Sequence, residues 1–487
     1  MVKKASQFKM YINGKWMDAK NGEQFDDLNP ATGELWAQVP SGDRSDVGLA
    51  IEAAHEVRTA WGSVPHTQRA SYLLKAADIL EGGAEEFAGS LIDETGSWFG
   101  KAMFEVMYSA GLIRAAAASV GYVTGEILPS ETGKINMLVR QPLGIVAVIS
   151  PWNFPLLLSL RGVVFALAVG NTVVLKPSEE TPVSGGLMIA NIFEQAGLPP
   201  GVLNVVTSPR ETVEEVGDEI VVNPKVGAIS FTGSSAIGCH LAEKAGRNLK
   251  KIVLELGGKN PLIILEDADM DRAVNAATFG RFMHQGQICM SAEKIIVEEP
   301  LLEEFTQRFV AKVKTLNIGN PREPDNIIGP IINQAQLEKI HAHVMDAQNK
   351  GAKLMCGGRY EGLYYEPTVL SNVTPAMLVY QEETFGPVAP VIGVRDVEEA
   401  IKVANDTEYG LSAGIITRDE EKGLYVAQRL ESGMAHINDA PVYDEPHMPF
   451  GGVKASGIGR HGGKASVEAF TELRWISLER GGRHYPF

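Results

Sequence analysis

Five short apolar runs lie between residues 144 and 258: GIVAVIS (144–150), NTVVLKPS (171–178), VLNVVTS (202–208), VGAISFTG (226–233) and KIVLELGG (251–258). They read as near-continuous apolar runs without polar alternation, the pattern of strands buried on both faces. Helical patterns separate several of them, notably GGLMIANIFEQAGLP (185–199) and SAIGCHLAEKAGRNL (235–249). Strands alternating with helices predict a parallel sheet covered on both sides, a doubly wound α/β domain of Rossmann-like type.

The alternation resumes further on, with strands expected at KIIVEE (294–299), APVIGVR (389–395) and SAGIITR (412–418) and helices at EEFTQRFVAKVKTL (303–316) and EKGLYVAQRL (421–430). Upstream, residues 1 to about 45 carry strand-like pieces and turns, and 46 to about 120 are Ala-rich with apolar residues at helical spacing. Between 122 and 142, short β-prone pieces around Gly and Pro predict a protruding β-ribbon.

A chain of 487 residues exceeds what one growing core accommodates, so two α/β domains are expected, with the Cys289 region opening the second. The net charge of −16 disfavours nucleic acid or anionic membrane as bulk-surface partners. The N-terminal stretch MVKKASQFKMYINGKW has basic residues but no apolar core of a secretory signal, and no segment is long enough to span a bilayer. Three cysteines, Cys239, Cys289 and Cys356, cannot form a disulfide scaffold, which points to a reducing, cytoplasmic setting.

Free cysteine often serves as a small buried hydrophobe. Cys239, in an apolar helical pattern, and Cys356, at a strand end, are expected to be structural. Cys289 differs in its surroundings. It lies in FMHQGQICMSAEKI (282–295), downstream of Glu255 in LELGGKNP (254–261), so a sulfur nucleophile and a possible base are both on offer. An apolar neighbourhood would raise the Glu255 carboxyl toward neutrality, as a base for water requires; the alternative is a strand-end ion pair with Lys259. In SPWNFPL (150–156), the Asn153 amide could donate to a developing oxyanion, although turn capping is the commoner role of such an Asn.

SFTGSSAIG (230–238) runs from strand to helix with Gly233 and Gly238 at its ends, and a helix start favours a phosphate; a tight structural turn explains it equally well. In LKPSEETP (175–182), Lys176 and Glu179 follow a strand end, where open α/β sheets bind ligands, or else form a solvated loop. No His, Cys or carboxylate cluster has metal-ligand spacing, so no metal is expected.

The motifs PWNFP, LELGGK, GQIC, EETFGP (382–387) and PFGGVKASGIGR (449–460), in this order and along essentially the whole chain, resemble the NAD(P)-dependent aldehyde dehydrogenase superfamily. That resemblance implies a nucleophilic Cys289, an oxyanion held by Asn153 and the Cys289 N–H, and Glu255 as the base that activates water. It implies cofactor contacts from Trp152, Gly233, Ser234 and Gly238 near the pyrophosphate, from Lys176, Ser178 and Glu179 at the adenosine ribose, and from Glu255, Leu256, Glu383 and Phe385 toward the nicotinamide. Lys176 is also carried among the catalytic residues, and Glu472 matches a carboxylate near the proton exit. Glu179 favours NAD over NADP, because an acid accepts from a free 2′-hydroxyl and repels a 2′-phosphate, but the preference is not exclusive, since Lys176 and Ser178 could still contact a phosphate. The implied division is an NAD-binding domain (1–121 and 143–254), a catalytic domain (255–469), and a ribbon and C-terminal strand (122–142 and 470–487) that build a homodimer or homotetramer.

Arg161 in LLLSLRG, His284 in HQGQICMS, and PVYDEPHMPFGG (441–452) resemble bacterial benzaldehyde, vanillin and salicylaldehyde dehydrogenases, which implies an aromatic aldehyde. Phe154, Ile288, Met290, Tyr443 and Phe450 would supply apolar surface, and Arg161 or His284 could meet a ring substituent; Arg161 paired with an acid outside the pocket is the alternative. An aliphatic or semialdehyde dehydrogenase would share the chemistry. A CoA-acylating enzyme would not need Glu255, and a Cys/His thiol hydrolase would use His284.

Overall fold

In the computed structural model, which describes residues 6–487, the five runs form parallel strands Ile145–Ile149, Thr172–Lys176, Leu203–Val205, Val226–Thr232 and Lys251–Glu255. Residues 1–5, where the N-terminal basic stretch begins, lie outside the described part. Ile145–Ile149 is central, with Thr172–Lys176 on one side and Val226–Thr232 on the other. The chain therefore reverses its winding direction at this strand, and the loops after Ile149 and Thr232 diverge above a crevice. Strand register pairs Ile149 with Lys176 and Thr232 with Glu255, so the residues that follow all emerge at one carboxyl edge. At the far side the antiparallel pair Met10–Ile12 and Lys15–Met17 extends the sheet. At the near side Gly457–Ile458 returns to pair with Leu254 and Glu255.

A second sheet takes the order Lys353–Cys356, Thr368–Ser371, Val388–Val394, Ala292–Glu298, Asn260–Ile264, Gly414–Ile416, His436–Ile437. The expected strands at 294–299, 389–395 and 412–418 are all in it. Asn260–Ile264 is an addition: Pro261 argues against a central strand, and the structure accommodates it with a register shift between Asn260 and Pro261.

The Ala-rich stretch folds into helices Arg44–Ser63, His66–Gly82, Ala84–Thr95 and Phe99–Ser119. Asp43 starts the first by accepting from the Ser45 and Asp46 backbone N–H groups, a capping box with Asp46. The helix Pro155–Ala168 is buried along its whole length. Gly162 allows its approach to the sheet, since a Cβ there would stand 2.7 Å from Val148 Cγ1.

The ribbon forms as Glu126–Leu128 and Ile135–Pro142, joined antiparallel by Thr471–Leu478 in one three-stranded sheet. Leu473 and Trp475 are exposed on it, 57% and 69% accessible. Cys356 ends a strand as expected, whereas Cys239 is exposed on the helix Ser235–Arg247, which corrects its reading as a structural core thiol. Among the described residues no helix is long and apolar enough to cross a membrane.

Candidate active site

Cys289 follows a turn in which His284 (φ 49°), Gln285 (φ 56°) and Gly286 (φ 70°) are left-handed in succession. Two non-glycine residues in that region cost free energy, so their surroundings must impose it. Gln285 donates to the Pro330 carbonyl at 2.8 Å, and the Gln287 side chain accepts from Ile332 N–H at 3.1 Å. Asn260 donates to the carbonyls of Cys289 (2.7 Å) and Ser291 (2.9 Å), which fixes the nucleophile's own peptide. A Cβ on Gly258 would stand 2.5 Å from the Cys289 carbonyl oxygen, so the second glycine of LELGGK exists for this approach.

Glu255 ends its strand fully buried, and neither carboxylate oxygen has a hydrogen-bond partner. Burial raises its pKa well above the ordinary carboxyl range, against the partial opposition of Arg161 and Arg460. The ion pair with Lys259 does not form, because Lys259 bonds Glu293 at 2.8 Å instead. Cys289 is half-buried, and burial, reinforced by Glu383 and Glu255, pushes its thiol up to about 12. The resting site thus holds a neutral sulfur beside an orphaned carboxyl.

Asn153 is buried and donates to the Gln287 carbonyl at 3.0 Å, two residues before the nucleophile. Its own carbonyl accepts from Lys101 at 2.8 Å, and Lys101 pairs with Glu105 at 2.5 Å, both side chains fully inaccessible. Glu105 also accepts from the Leu156 and Leu157 N–H groups at 3.0 and 3.2 Å, and so caps the helix that follows Asn153. Neither charged residue stood out in the sequence, where a Lys and a Glu four apart on a helix look like a solvated pair.

Arg161 is buried, bonded to Asp444, and stacked 4.1 Å from the Phe450 ring centroid. Its pairing with an acid is therefore real, yet its Nε and Nη1 have no protein partner, nor does the nearby Tyr108 hydroxyl. His284 is buried edge-on to Phe154, ring centroids 5.6 Å apart, with both nitrogens unpartnered. Burial and then the Lys101 charge hold it well below the usual imidazole range, so it is neutral. Ile288 is buried and Met290 half-buried beside the nucleophile, whereas Tyr443 is exposed and bonds Glu445 at 2.6 Å.

At the carboxyl edge, Ser234 caps the helix Ser235–Arg247, and Gly233 N–H bonds the Glu255 carbonyl at 3.0 Å. Gly238 lets that helix settle on buried Leu256, whose Cδ2 would be 2.5 Å from an added Cβ. Lys176 is buried, its pKa lowered by burial to about 8, with its ammonium on the Pro177 carbonyl (2.9 Å) and 4.0 Å from Glu179. Its contacts lie in this loop, not with Cys289. Ser178 is buried beside them and accepts from Glu180 N–H at 3.2 Å. Glu383 accepts from Gly258 N–H at 2.9 Å, and burial raises its carboxyl to about 7. Phe385, itself left-handed (φ 54°), meets Trp152 edge to face at 5.4 Å. Glu472 is exposed on the ribbon sheet opposite Gln141. Among the described residues one trio, Glu214, Asp218 and His240, comes within metal-ligating range of itself, but Lys244 already bonds Asp218.

Residues 16–476 match the family model "Aldehyde dehydrogenase family". The chain is 43% identical over 481 residues to vanillin dehydrogenase of Pseudomonas fluorescens, covering 98% of this chain and 99% of that one. It is 42% identical to benzaldehyde dehydrogenase [NAD(+)] of Pseudomonas putida, covering 98% and 97%. The crystal structure of a salicylaldehyde dehydrogenase from Pseudomonas putida G7 complexed with salicylaldehyde superposes with a TM-score of 0.97 at 39% identity, covering 99% and 100%. A family match over nearly the whole chain, on a fold that brings Cys289, Glu255 and Asn153 to one edge of a doubly wound sheet, identifies this protein as a member of the aldehyde dehydrogenase family.

Proposed function

We propose that the enzyme oxidises an aromatic aldehyde to its carboxylic acid with NAD as the favoured cofactor. The observation that carries this reading is Glu255, a buried carboxyl without a partner whose charge reaches the Cys289 thiol. The Cys289 thiol releases its proton to solvent, its sulfur bonds the aldehyde carbon, and the carbonyl π pair moves onto the oxygen as an oxyanion that amide donors such as Asn153 would hold. The nicotinamide cofactor, when bound, accepts the hydride that leaves this carbon. The resulting Cys289 thioester is attacked by water; Glu255 takes the water proton, the C–S bond breaks, and the acid departs.

The carboxyl edge fits such a cofactor. The N-terminus of the helix Ser235–Arg247 opens there, and Gly257 leaves room that a Cβ, 2.7 Å from the Glu383 carboxylate, would close. Lys176, Ser178 and Glu179 would hold the adenosine ribose, Gly233, Ser234, Gly238 and Trp152 the pyrophosphate region, and Leu256, Glu383 and Phe385 the nicotinamide half. Glu179, half-buried 4.0 Å from Lys176, supports NAD over NADP.

For the substrate, Phe154, Ile288, Met290 and Phe450 offer apolar walls, and the unpartnered nitrogens of Arg161 and hydroxyl of Tyr108 would receive a polar ring substituent. The named relatives act on aldehydes of this class, which supports the aromatic reading. The three thiols support a cytoplasmic enzyme. The exposed Leu473 and Trp475 support assembly through the ribbon sheet.

The test is NADH formation from benzaldehyde, a hydroxybenzaldehyde and a short aliphatic aldehyde, beside Cys289→Ala. A larger kcat/KM for the aromatic substrates, lost in the variant, is expected. Faster aliphatic turnover would overturn the substrate class, and activity surviving in the variant would overturn the mechanism.

A further inference from the structure

We infer that Glu293 is a positioning residue for the cofactor loop 382–386, which it clamps together with Arg281 and Lys259. The inference rests on the reading above that Glu383 and Phe385 hold the nicotinamide half of the cofactor. Glu293 is buried on the strand Ala292–Glu298, and its carboxylate is shared symmetrically. Oε2 accepts from the Thr384 N–H at 3.1 Å and from Lys259 at 2.8 Å. Oε1 accepts from the Phe385 N–H at 3.1 Å and from Arg281 at 2.7 Å.

The two cations complete the clamp on the loop's carbonyls. Lys259 donates to the Glu382 carbonyl at 2.6 Å, and Arg281 donates to the Gly386 carbonyl. Three buried side chains from three separate segments thus take hold of four consecutive-region backbone groups, and all three are essentially inaccessible to water. Burial alone would raise the Glu293 carboxyl, but Arg281 and Lys259 outweigh it and hold it well below the usual range, so the anion persists.

Such an investment needs a reason. A buried ionic cluster is a poor source of net stability compared with apolar packing, but it fixes geometry. Here the fixed geometry includes Phe385 in the left-handed region, a conformation that a free loop would leave. The pinned peptides aim Glu383 at Gly258 and set Phe385 against Trp152. The hydrogen bonds of the Glu293 carboxylate go to the loop and to the two cations, so it acts through the loop.

The experiment measures NAD KM, aldehyde KM and inhibition by AMP, which probes only the adenosine half, for wild type, Glu293→Gln, Arg281→Gln and Glu383→Gln. Removing the charge that holds two amides is expected to raise the NAD KM of Glu293→Gln about tenfold or more, with AMP inhibition and aldehyde KM unchanged and Arg281→Gln shifted in the same direction. An unchanged NAD KM in Glu293→Gln, while Glu383→Gln is impaired, overturns this inference alone. A parallel weakening of AMP inhibition, or loss of the fold in both clamp variants, also overturns it by making the cluster merely structural. If Glu383→Gln leaves the NAD KM unchanged, the cofactor reading fails and takes the inference with it.

Discussion

Glu255 concentrates the site's chemistry in one buried carboxyl, and two outcomes follow from its surroundings. Glu255→Gln keeps the shape but cannot take a proton, so rapid-mixing kinetics should show one fast turnover of NADH per site, then a steady state slowed by about 10²–10⁴. In wild type the base works only when ionised, and burial holds its carboxyl well above the ordinary carboxylate range. The acid limb of the hydrolytic step should therefore lie above 4.5, with rate rising as pH rises; a limb at the ordinary carboxyl value would contradict the buried geometry. Arg161→Met should lower kcat/KM for a hydroxybenzaldehyde more than for benzaldehyde, because only the former uses its free nitrogens. Cys289, Glu255 and Asn153 were legible in the sequence because each sits in a short motif next to a strand end or turn. Lys101, Glu105, Arg281 and Glu293 were not: Lys101 and Glu105 read as an ordinary pair four apart on a helix, Arg281 and Glu293 meet from a helix and a strand, and nothing in a local pattern separates a buried charge from a solvated one.

Periodicity was a good guide to the buried strands and a poor one where Pro intervened. The runs at 144–258 had no competing reading, since continuous apolar stretches bounded by Gly and Pro suit a covered parallel sheet. Asn260–Ile264 escaped because Pro261 normally excludes a central strand. The helix Pro155–Ala168 lies so close to the sheet that Gly162→Ala should destabilise by about 1–3 kcal/mol, measurable by denaturant unfolding; a neutral result would mean that Val148 can yield. The ribbon sheet makes a separate forecast. Trp475→Glu places a charge on an exposed apolar strand and should lower the oligomeric mass seen by light scattering, without loss of the protomer's fold.

The molecule as a whole carries a buried acid pair, Asp27 with Glu94, against the segment that follows the loop 175–182. Glu94 accepts from Val183 and Ser184 N–H at 2.7 Å each, while burial and then the Glu94 charge raise Asp27 well above its usual range, and burial raises Glu94 to about 7. The folded state then keeps a proton that the unfolded chain releases at about pH 4. Stability should therefore fall as pH rises from there through the raised values. Asp27→Asn should flatten that slope and raise Tm at neutral pH, as followed by a thermal melt across pH; an unaltered slope would show that the pair does not hold its proton.

The return of Gly457–Ile458 to Lys251–Glu255, with Ser456 bonding the carbonyl of Gly257 from 199 residues away, constrains the order of biosynthesis. At about 5–20 residues per second, the ribosome needs roughly 10–40 s to deliver that closing piece after Gly257 has been made. Throughout that interval the nascent first sheet ends in Lys251–Glu255, paired with Val226–Thr232 on one side and open on the other. Such an edge recruits foreign strands. A chain cut short before Gly457 would keep that flank open, and with it an aggregation hazard.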